Sequence, residues 1–193
     1  SASGHRTGGV GTLWYPEYGD TVSAGAAAGI DGSERTNVFA RLRYRSLAIN
    51  GSFNRRDKTV PTGAYGTVFN DPRHILTDEH AAVSVAWEPS LAGGWQGRLR
   101  GGLDDYGFFA VYPYFEDDDA ASGPTVEYVD RADGRWLTGE VQASRTFGTR
   151  HRFTTGIERR QHLRQDQTAY VREPYAMELD VPHRSATTAW YAQ

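Results

Sequence analysis

The chain has 193 residues, a formal net charge of -3 from 21 basic and 24 acidic residues, and no cysteine. The near balance of charge argues against a nucleic-acid-binding protein, and the lack of cysteine excludes disulfide scaffolds, cysteine nucleophiles and thiolate metal sites. Five Trp, eleven Tyr, eight Phe and 22 Gly accompany a mean hydropathy of -0.62. This composition suits either a soluble β-protein with Tyr-rich loops or a barrel wall with aromatic rims and a polar interior.

The chain carries no run of roughly 20 apolar residues, the length that a membrane helix needs. It also lacks an initiator Met and an apolar, positively flanked secretion signal at Ser1. We therefore expect residues 1–193 to be a fragment of a longer protein.

Alternation of apolar and polar residues predicts strands of about ten residues and almost no helix. The predicted strands lie at 36–45, 47–54, 78–88, 95–105, 134–146 and 151–162, with partial strands at 1–6 and 184–193. The clearest is 36–45, where Val38, Leu42 and Tyr44 share one face and Arg41 and Arg43 share the other. About eight strands are therefore present.

Each of the later strands also has one apolar face. Its members are Leu47, Ile49, Gly51, Phe53, Ala81, Val83, Val85, Trp87, Trp95, Gly97, Leu99, Gly101, Leu103, Leu137, Gly139, Val141, Ala143, Phe153, Thr155 and Ile157. Two charged residues, Arg145 and Arg159, share this parity, and both are predicted at or near strand ends. In a barrel the apolar faces would meet lipid, and the polar faces would line a hydrated interior.

The predicted connections alternate in length. Short links at 45–46, 88–94 and 147–150 alternate with long loops at 7–33, 55–77, 106–133 and 163–183. In an antiparallel up-and-down meander all long loops then fall at one end, which is typical of outer-membrane barrels. Strands of 9–11 residues also suffice to cross a bilayer when tilted. The predicted fold class is therefore all-β, as part of a transmembrane barrel.

One predicted loop carries a distinctive motif. The segment Arg55–Arg73 reads RRDKTVPTGAYGTVFNDPR, and it resembles a barrel-loop pattern, R-x-K-x-[IV]-P-T-G-x-[YF]-x-T-x-F-x-D, of TonB-dependent outer-membrane receptors. The resemblance implies a barrel of about 22 strands in a Gram-negative outer membrane, closed by an N-terminal plug. It also implies import of a siderophore, cobalamin, carbohydrate or similar ligand.

By the same resemblance, the partners would be outer-membrane lipid, the small-molecule ligand and the TonB energy-coupling complex, which acts through the plug. No plug domain, energy-coupling box or terminal aromatic residue is present in these 193 residues. We therefore interpret residues 1–193 as one piece of barrel wall, which should not transport a ligand alone.

No motif supports catalysis, so we predict that the chain is not an enzyme and needs no cofactor. The six histidines lack zinc-ligand spacing, and the acidic run 116–119 lacks the ligand spacing of a calcium loop. No G-x-S-x-G surrounds a serine, and nothing indicates a facing carboxylate pair of the kind that glycosidases use.

Two groups of residues are candidates for ligand binding. Tyr65, Phe69, Tyr112 and Tyr114 lie in predicted long loops, where they either stack on a ligand or anchor the barrel at the membrane interface. The second group lies on the polar faces, where its members either attract an anionic ligand or form a salt-bridge ladder with Asp104, Glu140 and Glu158. This group consists of Arg41, Arg43, Arg98 and Arg100.

Two other folds remain open at this stage. A soluble β-sandwich acting as a carbohydrate-binding module would require the Val38/Leu42 and Val83/Val85 faces to pack against each other. A small closed eight-stranded barrel with a structural or adhesive role is the other possibility, because eight strands suffice for closure.

Overall fold

The structure is a computed structural model that describes residues 1–117 and 122–193. It contains strands β1 (Ala2–Thr7), β2 (Thr12–Trp14), β3 (Ala26–Ala28), β4 (Ser33–Tyr44), β5 (Leu47–Thr59), β6 (Ile75–Trp87), β7 (Trp95–Phe115), β8 (Thr125–Phe147), β9 (His151–Val171), β10 (Ala176–Val181) and β11 (Ser185–Ala192). Single 3-10 turns lie at Pro16–Tyr18, Ala64–Gly66 and Ala92–Gly94. Within these two ranges the helical segments are single turns of three residues, and none of them could span a bilayer.

One antiparallel meander accounts for nearly all of the sheet. Its order is β1-β4-β5-β6-β7-β8-β9-β10, and β11 also pairs with β9. Strands β10 and β11 pair with successive parts of β9, so they form one strand interrupted at 182–184. The all-β meander and its eight strand positions are thus confirmed. Within the described residues, β1 and the β10–β11 edge do not pair with each other, and the sheet is open.

The register unites the predicted apolar residues on one side of this sheet. Leu42 lies opposite Ile49, Ile49 opposite Val85, and Val85 opposite Gly101. The same alignment continues through β8 and β9. We call this side the apolar face and the opposite side the polar face. Large side chains on the apolar face are open to solvent, with Leu42 63% and Val141 52% exposed.

The connections separate the two ends of the sheet as predicted. The links at 45–46, 88–94 and 148–150 form a short-turn end, and the opposite end carries loop A (8–32), loop B (60–74) and the turns after β7 and β9. Loop A includes the β2–β3 hairpin. We call this opposite end the long-loop end.

Three predicted boundaries were wrong. Strand β7 has 21 residues and β8 has 23, so most of the predicted loop 106–133 is a long hairpin. Likewise β9 continues to Val171 and turns into β10 within the predicted loop 163–183. Loop B is also shorter than the predicted 55–77, because β5 and β6 extend into it.

The alternation fails in these extensions because neither face there is uniformly apolar. Polar and aromatic residues alternate irregularly, and Val68 of loop B donates its backbone N–H to the Pro113 carbonyl of the hairpin at 2.8 Å. Ala110 and Val129, which lie on opposite faces of the hairpin, are both fully buried. Cross-strand aromatic pairs hold the ribbon instead, as with Tyr114 and Tyr128, whose ring centroids lie 5.5 Å apart.

A register shift in β9 has no sequence signal. Arg135 lies opposite Arg164 while the next residue, Trp136, lies opposite His162, so Leu163 is an extra residue. Such a bulge reverses the facing of every later residue in the bulged strand. Arg164 and Asp166 therefore lie on the apolar-face side beside Asp133, and the gap at 182–184 lies next to the bulge.

Candidate ligand-binding surfaces

Loops A and B pack on each other through three aromatic rings. Tyr18 stacks on Phe69 with centroids 4.2 Å apart and an angle of 9° between the ring planes. Tyr15 meets the same Phe69 ring edge-on at 5.6 Å. Phe69, a predicted ligand residue, is thus also the point where the two loops meet.

An ionic network holds loop B to the long hairpin. Arg73 Nε donates to Asp71 Oδ1 at 2.9 Å, and Arg73 Nη2 donates to Thr125 Oγ1 at 2.9 Å. The side chain of Glu127 accepts from both Arg73 and Arg172. Burial alone would raise the pKa of the Asp71 carboxyl, but the hydrogen bonds and charge of Arg73 outweigh it and lower that pKa below its usual value.

His74 closes the base of loop B. Its side chain is fully buried, and its Nδ1 lies 3.2 Å from Thr67 Oγ1, which itself donates to the Ala64 carbonyl at 2.8 Å. Burial lowers the pKa of the His74 imidazole because the charged form loses its hydration, while the Asp71 charge opposes that shift.

The predicted tyrosines lie near this base but not in loops, apart from Tyr65. Tyr112 and Tyr114 belong to β7, where both share the parity of the polar face, which corrects their assignment to a loop. Tyr65 is 79% exposed and meets Tyr112 edge-on with centroids 6.1 Å apart. Its backbone is left-handed, with φ of 61°, a conformation unusual for a bulky residue.

A crevice of about 670 Å³ opens between loop A, loop B and the tip of the β7–β8 hairpin. Phe69, Val68 and Phe115 supply apolar walls, and Arg73 and Thr21 supply polar groups. This combination of apolar walls and few polar groups is typical of small-molecule sites.

The four predicted arginines share a second, separate groove on the polar face. Arg41 and Arg43 extend from β4, Arg98 and Arg100 from β7, and the floor between them consists of small side chains from β5 and β6. The groove has a volume of about 350 Å³, and Ser46 and Glu88 place it at the short-turn end.

The predicted salt-bridge ladder is absent from the part of the chain that the structure describes. Arg98 Nε faces Glu88 at 3.6 Å, and Asp104 Oδ1 lies 3.2 Å from His80 Nε2. Glu140 accepts a hydrogen bond from Tyr191 at 2.8 Å rather than pairing with Arg100, although the two residues are opposite in register. These contacts depend on the length of each side chain and on competing partners. The alternation of apolar and polar residues in the sequence contains neither.

The eight predicted residues therefore do not form one site. Arg100 and Tyr112 are twelve residues apart on β7, which corresponds to about 40 Å along an extended strand. Between them lies a row of rings that sequence reasoning missed: Trp136 lies between His80 and His162 at centroid distances of 6.1 and 5.8 Å. The regular register from the short turn at 148–150 pairs Trp136 with His162, and the bulge at Leu163 begins only beyond this row.

No group of three or more His or carboxylate ligands suited to a metal ion occurs within residues 1–117 and 122–193. The acidic run considered for calcium includes Asp118 and Asp119, which lie outside the described residues. Comparison with known proteins found no matching family model and no matching curated protein.

Proposed function

We propose that this chain is a piece of the wall of an outer-membrane β-barrel, within a TonB-dependent receptor that takes up a small-molecule ligand. The observation that carries the membrane part is the slope of the apolar band across the strands. The receptor part rests on the motif in loop B.

The upper border of the apolar band is the first charged residue met on the apolar face of each strand when moving toward the long-loop end. Relative to the row that contains Tyr44 and Trp87, this residue lies ten positions up on β4, eight on β5 and β6, six on β7 and β8, and two on β9. The border residues are Glu34, Arg55, Glu79, Asp105, Arg135 and Arg159. The border thus descends steadily across the sheet.

The lower border descends in the same direction. On β4 to β6 the strands end in the row of Tyr44 and Trp87, whereas β7 starts four positions lower, at Trp95, and β8 ends six positions lower, at Phe147. The upper border descends by four residues from β4 to β8 and by six from β5 to β9, and the lower border descends by six from β4 to β8.

This parallel shift matches strand tilt in a barrel. Six residues correspond to about 20 Å along a strand, and four strand spacings to about 19 Å across the sheet, which gives a tilt of about 45°. Membrane barrels have tilts of about 35–45°. A soluble sheet has no reason to slope both borders of an apolar band in the same direction at this angle.

The slope also explains Arg159. Its position is the middle of β9, not near a strand end as predicted, and it lies level in register with Gly139 and Thr188. Because the upper border of the apolar band descends toward β9, however, Arg159 lies on that border and not inside the band. There it donates to Gln161 Oε1 at 3.0 Å.

The two borders carry different chemistry. Above the band, Arg135 pairs with Asp105, Arg55 with Asp57 and Glu79, and Arg164 with Asp133 and Asp166. Below it are aromatic residues, among them Trp95 and Phe153, whose centroids lie 6.4 Å apart, with one charged residue, Arg145, between them in the same row. Aromatic girdles favour a membrane–water interface, and ion pairs favour water or charged headgroups.

The soluble β-sandwich does not fit this sheet. Its core required Val38 and Leu42 to pack against Val83 and Val85, but the register places all four on the same face of one sheet. Their exposures of 41–63% leave that face uncovered.

Paired cysteine substitutions test the membrane part, because the chain has no cysteine of its own. Val85→Cys lies on the apolar face, and Ser84→Cys beside it lies on the polar face. After insertion into phosphatidylcholine vesicles, a membrane-impermeant maleimide should label Ser84→Cys and spare Val85→Cys. Equal labelling of both would contradict a lipid-facing band.

The surrounding open reading frame tests the receptor part. We expect an upstream plug domain with an energy-coupling box and further alternating strands downstream. A reading frame that encodes a barrel without a plug would be compatible with the membrane part of the proposal and would contradict the receptor part.

A further inference from the structure

We propose that the arginine groove is a binding site for a small polyanion, one that carries two or more carboxylate or phosphate groups, at the short-turn end of the polar face. The proposal deepens the proposed function, because only in a barrel would this face line a hydrated interior. It places an anion site about 40 Å along the strands from the aromatic surfaces of the long-loop end.

The first argument is charge that the chain itself leaves uncompensated. The groove contains Arg41, Arg43, Arg98 and Arg100 but only one carboxylate, Glu88. Among the described residues, Arg41, Arg43 and Arg100 form no salt bridge, and Arg98 meets Glu88 only at 3.6 Å, beyond hydrogen-bond length. Clustered cations of this kind are stabilised by a multiply charged anion.

The second argument is an unused donor. Nε of Arg98 is buried from solvent and has no hydrogen-bond partner, and such a group costs free energy unless a ligand or water satisfies it. Guanidinium forks match carboxylate and phosphate oxygens in pairs of hydrogen bonds.

The third argument is space. Ala48 and Ala86 lie in one hydrogen-bonded row between Arg43 and Arg100, so their methyl groups form a low floor. In the next row Asn50 donates to Ser84 Oγ at 3.4 Å. The two arginine pairs are three strand spacings apart, about 14 Å between backbones, which leaves room for a small ligand between the side chains.

The neighbouring part of the polar face shows the contrast. On β8 and β9 carboxylates occupy these positions: Glu140 lies opposite Glu158, and although Glu140 is also opposite Arg100 in register, it accepts a hydrogen bond from Tyr191 instead. The nearest carboxylate on β8 thus leaves Arg100 of the groove without an ion pair in the described residues.

Isothermal titration of the chain refolded in neutral detergent tests the site, with citrate as the carboxylate probe and pyrophosphate as the phosphate probe. We expect saturable binding that weakens with added salt. The Arg41→Gln/Arg100→Gln variant should lose at least tenfold in affinity. The control Arg55→Gln/Arg135→Gln removes the same charge from the apolar-face border and should bind as the original chain does.

Equal loss in both variants, or no binding of either probe, would overturn the proposal, as would binding only of an oligoglutamate peptide. Circular dichroism checks folding. If the glutamine variant does not fold, Arg41→Lys/Arg100→Lys keeps the charge and removes the forks, and it should still weaken binding. Vesicle protection of Val85→Cys reports on the membrane proposal separately, so failure of the anion site can be told apart from failure of the proposed function on which it rests.

Discussion

The short-turn half and the long-loop half of the sheet are built on different principles. In the short-turn half, each strand has an apolar and a polar face, and hydrogen-bonded rows join like residues across strands. In the long-loop half, loops cover the strands, and the side chains that are most buried include His74, Asp71 and Thr67. A uniform environment along each face thus gives a regular pattern, whereas local packing gives an irregular one.

A charge placed in the apolar band should have the largest effect on this contrast. Val85→Arg should destabilise the vesicle-inserted sheet by about 2–4 kcal/mol, the cost of an arginine at mid-depth in lipid. Ser84→Arg, on the polar face, should cost less than about 1 kcal/mol, because solvent hydrates the new charge. Denaturant unfolding in vesicles measures both, and equal costs would mean that the two faces meet the same solvent.

Loss of the Arg73 network should be the next largest effect and should stay in the long-loop half. Arg73→Ala leaves the buried Asp71 carboxylate without its main partner. Breaking a fully buried ion pair costs about 3–5 kcal/mol of folding free energy. The cost here should be smaller because Arg73 is partly exposed. Hydrogen exchange of residues 60–74 should accelerate, while exchange in 81–87 stays unchanged. A uniform change would show that the two halves unfold together.

Acid should loosen the same loop in two stages. The folded pKa of His74 is lowered, so its contribution to stability is fully present above about pH 6.5 and declines as the unfolded loop gains a proton first. The pKa of Asp71 is also lowered, so its contribution declines only below about pH 4. Exchange protection of residues 60–74 should fall between pH 7 and 5, and His74→Leu should remove that first stage.

The smallest effect should come from the lower aromatic border. Phe153→Leu removes the edge-on contact with Trp95 and should cost about 0.5–1.5 kcal/mol in vesicles. The control Phe39→Leu changes a polar-face ring for which the described residues provide no ring partner, and it should cost less. If Phe39→Leu lowered the stability in vesicles more than Phe153→Leu does, the lower aromatic border would have no special role.

Sequence reasoning succeeded where one physical constraint acts on every second residue. Val83, Val85 and Leu99 were assigned to the correct face because a uniform environment selects for alternation. It failed for Tyr112 and Tyr114, since cross-strand pairing and loop cover hold their hairpin together. The groove was only half predicted: the arginines were identified, but their separation from Glu140 depends on Tyr191, which is 51 residues away along the chain.

The depth of single spin labels in phosphatidylcholine vesicles tests the tilted band most directly. Gly51 and Leu137 lie in the same hydrogen-bonded row, whereas Val141 lies four residues further down β8. A methyl group at Gly51 would meet nothing closer than 3.9 Å, so the substitution is tolerable. Labels at Gly51→Cys and Val141→Cys should have equal depth near mid-bilayer, with Leu137→Cys about 9 Å shallower at a 45° tilt. Equal depth at Gly51 and Leu137, or no lipid exposure at any of the three, would contradict a tilted membrane wall.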